Sequence, residues 1–158
     1  MGICFTAQAQ PDTSGYAAIT LDELVFSAGK FREHKKNVAQ PIRLISRREM
    51  EWYSPPTSAG LLEQTGQVSV QRSQLGGGSP VLRGFEASRV LLVIDGVRMN
   101  NAIYRAGHLQ NVITLDNNIL ERVEVLYGPS STIYGSDALG GVVVFNTRQP
   151  RFASGEKV

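Results

Sequence analysis

The stretch from Ile119 to Thr147, ILERVEVLYGPSSTIYGSDALGGVVVFNT, constrains the fold of this chain more than any other part. Val123 to Tyr127 is apolar and β-prone, and Gly128-Pro129 must end that strand, because proline donates nothing to a ladder. Proline at a first helical position, with Ser130 or Ser131 beside it, then begins a helical turn. Gly140-Gly141 lets the backbone reverse tightly into Val142 to Asn146. Val142 to Phe145 is apolar on both faces, the mark of a central strand. Two strands joined by a short helical turn are therefore expected within thirty residues.

Upstream, the punctuation is equally dense. Leu21 to Ala28 is a short extended candidate, and Gly29 to Lys36 is a charged connector. Val38 to Ile45, around Pro41, reads as a strand. Ser46-Arg-Arg-Glu49 has capping-box spacing and starts a helix, which Pro55-Pro56 ends. Thr57 caps a second helix through Leu61 and Leu62, stopped at Gly66. Val68 and Val70 alternate with polar neighbours as a strand, and Gly76 to Gly78 form a flexible link before Val81 to Phe85. Val90 to Met99 is a hairpin whose Asp95-Gly96 turn accepts positive φ. Asn100 to Asn118 is a long polar loop, of a length that is usually functional or mobile. Short helices mixed with strands, and no helix long enough for a βαβ crossover, predict an α+β domain on one small mixed sheet of about four strands.

Several functions fail on composition. The net charge of +2, with 19% charged residues, argues for no nucleic-acid partner. Cys4 is the single cysteine, so no internal disulfide or multi-cysteine metal site is expected. The longest apolar run, Val90 to Ile94, has five residues, far short of the ~18 of a membrane helix. Gly135 to Val142 has phosphate-loop glycine spacing but no lysine to reach the phosphates. His34 lies in a charged connector and His108 in a polar loop, and neither has a nearby paired acid that would orient it as a base. An enzyme is not expected.

Four ordered motifs resemble the plug domain of TonB-dependent outer-membrane receptors. Glu121-Arg-Val-Glu-Val-Leu126, Gly128-Pro129, Ser131, Tyr134-Gly135, Ala138 and Gly140-Gly141-Val142 match the plug's end motif. Arg83-Gly84-Phe85 is similar to its arginine-glycine-phenylalanine element, Val93 to Val97 to its Asp-Gly hairpin, and Leu61 to Val70 to its helix-to-strand unit. The resemblance covers about residues 21 to 150. It implies a disordered segment over 1–20 (a signal-peptide remnant or a frayed terminus), a TonB-box region and connector over 21–36, a compact plug domain with long loops over 37–150, and a tail over 151–158 leading towards a barrel.

The resemblance also implies a function: gating an outer-membrane nutrient receptor, sensing ligand and signalling to TonB. Asp22, Glu23, Leu24, Val25, Phe26, Ser27 and Ala28 match the TonB box, which the C-terminal domain of TonB captures by strand addition; the same residues also read as an ordinary first strand. As a free box, they should be removable with the melting curve unaltered. Tyr104, Arg105 and His108 fall in the apical loop that meets an iron-containing ligand, haem or a ferric siderophore, carried as cargo and not as a resident cofactor. The alternative there is a packed tyrosine and a solvated histidine. Arg83, Arg122 and Glu124 match positions that dock the plug against its barrel; here they should be solvated, or blunt an exposed sheet edge. A ~22-stranded barrel, at about ten residues per strand, must lie outside these residues. A free-standing haem- or chelate-binding module of the same fold is the alternative.

Overall fold

Ser46 shows how local sequence sets the first helix. Its hydroxyl accepts the amide of Glu49 at 3.3 Å, and helix α1 (Arg47–Tyr53) follows. The chain leaves α1 through Ser54 at φ 41°, just before Pro55-Pro56. Thr57 then accepts from the amide of Gly60 at 3.1 Å and opens α2 (Ser58–Gln64). The computed structural model describes residues 24–25, 31, 33–72, 78–86, 89–99, 112 and 115–150.

The strands, in chain order, are β1 (Leu24–Val25), β2 (Glu33–His34), β3 (Ile42–Ser46), β4 (Ser69–Arg72), β5 (Gly78–Val81), β6 (Val90–Ile94), β7 (Val97–Arg98), β8 (Leu120–Tyr127) and β9 (Gly141–Thr147). Among the described residues the main sheet has five strands in the order β3-β8-β9-β6-β7. That is one more than expected, because two residues beyond the Asp95-Gly96 turn suffice to add an edge strand. The β6–β9 pair is parallel and the other pairs are antiparallel, so the sheet is mixed. β1 pairs with β2, and β4 with β5, as separate two-stranded ribbons.

The return into β9 explains the glycine pair. Gly141 has φ +151°, and a Cβ there would lie 2.5 Å from the carbonyl oxygen of Leu126. Any side chain would force apart the antiparallel pairing of β8 and β9. After the short helix α3 (Ser131–Tyr134), that pairing brings the two halves of the C-terminal motif together.

Alternation along the strands splits the core in two. On one face Val90, Leu92, Val123, Val125, Val143 and Phe145 pack with Leu61, Leu62 and Met50 of the helices. On the other, Leu91, Val93, Leu126, Val142 and Val144 pack with Ala138, Ile42 and Val25. β9 is central and contributes to both, as its continuous apolar run requires.

Candidate functional site

The TonB-box candidate enters the description at only two residues. Leu24 pairs with His34, and Val25 with Glu33. Leu24 is exposed, whereas Val25 is completely buried in the second core cluster. That burial runs against a segment removable with the melting curve unaltered, since Val25 packs on this face of the sheet with Leu91, Val93, Leu126, Val142 and Val144. Asp22, Glu23, Phe26, Ser27 and Ala28 lie outside the described residues.

Tyr104, Arg105 and His108 also lie outside them. The hairpin leading towards that loop is firmly built. Asp95, at φ 47° in the turn, accepts from the backbone N–H of Thr147 at 2.8 Å and from its hydroxyl at 2.6 Å. Arg98 of β7 pairs with Asp137 at 2.6 Å. The hairpin is thus tied to the end of β9 and to the glycine motif.

The three barrel-docking candidates separate. Arg83 is exposed in a turn at φ 49°, and its guanidinium sits 5.2 Å over the ring of Tyr127. Glu124 departs from expectation: it is fully buried, and β8 lies between β3 and β9, not at an edge. Arg122 Nε stands 3.1 Å from Glu124 Oε1. Alternation sends both side chains to the same face as Leu126, and a buried carboxylate requires such a partner. Tyr134 lies on this side too. Burial raises its phenol above the usual range, and the nearby Glu124 charge adds to that.

Sequence reasoning missed the residues at the open end of β3 and β8. Tyr127 is buried there, and burial raises its phenol although Arg43 and Arg83 pull it down. Arg43 pairs with Glu49 from α1. Arg43 and Tyr127 stand more than eighty residues apart in the chain, so no local motif joins them to each other or to Arg83. Among the described residues no group of metal-ligating side chains gathers.

Against this geometry, the comparisons are decisive. The model of the TonB-dependent Receptor Plug Domain matches residues 34–142, more than half of the chain. The chain belongs to the TonB-dependent receptor plug family. The vitamin B12 transporter BtuB of Vibrio vulnificus (strain CMCP6) is 35% identical over 144 residues, covering 88% of this chain and 23% of the transporter. The plug thus spans about a quarter of that relative's length. Among solved structures, the Pseudomonas aeruginosa receptor FpvA, bound to a pyoverdine–iron complex, superposes with a TM-score of 0.69 at 20% identity, over 80% of this chain and 16% of its own. The alcaligin outer-membrane receptor FauA of Bordetella pertussis gives 0.65 at 20%, over 82% and 22%. These two establish the plug fold. The hemophore receptor HasR of Serratia marcescens, solved with its hemophore HasA and haem, gives 0.58 at 28%, over 70% and 17%.

Proposed function

We propose that this plug closes the barrel of an outer-membrane nutrient receptor and reports ligand occupancy to TonB through its N-terminal strand. The observation that carries the reading is the attachment of that strand. It precedes the family's matched residues and, among the described residues, is held by a two-residue pairing and one buried valine. Burying one valine is worth roughly 1.5–3 kcal/mol. A tie of that size leaves the released form populated at roughly the per cent level. The strand is therefore stowed but within reach of a partner that captures extended segments by adding them to its sheet, with backbone hydrogen bonds supplying affinity.

Ligand arriving at the apical loop, with Tyr104, Arg105 and His108 as its contacts, shifts that population by stabilising the released state. Such a shift is limited to the ligand's differential affinity for the two states. The cargo is a metal chelate. Haem or a ferric siderophore is favoured by the haem-loaded HasR and the pyoverdine–iron complex of FpvA; cobalamin is favoured by the identity to BtuB. The plug performs no chemistry on its cargo.

Capture by the C-terminal domain of TonB tests this. Val25→Asp, which cannot stay buried uncharged at neutral pH without cost, should raise capture at least about tenfold. Deleting 21–28 should abolish it. Undiminished capture of the deletion variant would place the handle elsewhere.

A further inference from the structure

Helix α1 has one face in the core and the opposite face bare. Met50 is its buried residue, and Arg48 and Trp52 stand two positions either side of it. At 3.6 residues per turn, two positions are about 200° around the axis, so both point away from the core. Being four apart, they are neighbours on that outer face. Trp52 is 86% exposed and Tyr53 beside it 39%. With Ser46 and Glu49 they line an open recess of about 290 Å³.

The chemistry of this face is one-sided. The indole N–H of Trp52 only donates, and the guanidinium of Arg48 has five donors and no acceptor. The acids of the same helix are engaged: Glu49 is held by Arg43, and Glu51 by Arg47 at 2.8 Å. Arg48 is exposed and pairs with no carboxylate among the described residues. An indole so bare contributes little burial to this domain. Trp, Tyr and Arg are also the residue types that carry most of the binding energy where proteins meet.

Size and charge together select the occupant. This chain spans 23% of the length of its vitamin B12 transporter relative, so a receptor of that size has most of its polypeptide outside these residues. Barrel lumens are lined by polar side chains, and a wall that meets a cationic, donating face must present acceptors. We propose that the Arg48–Trp52 face of α1 docks on the inner wall of the receptor's own barrel, against a carboxylate-bearing stretch of it. The inference rests on the gating role proposed above and names contact residues other than Arg83, Arg122 and Glu124.

Photo-crosslinking in the intact receptor that carries this domain tests it, with Trp52 replaced by p-benzoylphenylalanine and the adduct mapped by peptide mass spectrometry. The expected adduct joins this position to a barrel peptide of the same polypeptide. Arg48→Glu in that background should lower the yield about tenfold, because like charges across an interface are costly, and Arg48→Lys should keep most of it. The isolated chain should melt at an unchanged midpoint with either substitution, since exposed sites tolerate change; lost docking is thereby told from lost folding. Adducts to TonB, to a second receptor or to no protein would overturn the proposal, as would a yield indifferent to Arg48→Glu. Conductance of the same labelled receptor keeps the two readings apart. Without the adduct, a silent receptor overturns the docking face alone, and a conducting one overturns the gating role with it.

Discussion

Glu124 is the residue whose environment says most about this fold. A carboxylate with no exposed surface stands on a strand between two others, directly opposite Leu44 and Val144 in the ladders. It persists because Arg122 is 3.1 Å away on the same strand face. Removing one member of a buried pair leaves the other uncompensated, at about 3–5 kcal/mol. Arg122 keeps some solvent access, so Arg122→Ala should cost about 3 kcal/mol by denaturant unfolding. Replacing both, as Arg122→Met with Glu124→Leu, should recover most of that loss. A single variant as stable as the parent would show that the pair does not hold the charge. If the pair serves the barrel, the double variant should fold well alone and dock poorly.

Elements with local chemistry were legible in the sequence. Ser46 and Thr57 cap their helices as the spacing requires, Asp95-Gly96 turns the hairpin, and Gly128-Pro129 ends β8. What escaped depends on partners distant in sequence. Gly78 read as part of a link, yet it begins β5; a Cβ there would meet Val70 at 2.3 Å across the ribbon. The burial of Glu124 follows from strand order, which the acid's own neighbours do not encode. A cleft beside Tyr127 assembles from four separate segments, and no spacing rule joins them. β1 is the case with consequences: a two-residue strand has too little sequence to reveal that one valine is buried. Deleting 21–28 should therefore lower stability by about 1.5–3 kcal/mol, seen as an earlier thermal midpoint. Val25→Ala should give part of that change, whereas an unchanged midpoint would mean that the valine is not part of the core in solution.

At the scale of the molecule, both faces of the sheet are covered by the chain's own elements. The remaining apolar groups are scattered outward, with Trp52 of α1 86% exposed. Single exposed apolar residues are ordinary, but a nearly bare tryptophan suits a body that sits inside a larger one. No helix among the described residues is long and apolar enough to cross a membrane. A barrel of ~22 strands has a lumen wide enough to need a plug, and filling that lumen is the role assigned here. The most direct measurement is ion conductance across a planar bilayer by the receptor that carries this domain, with residues 34–142 present and removed. The account predicts a silent receptor with the plug in place and large, steady conductance steps without it. Equal conductance in the two forms would contradict it.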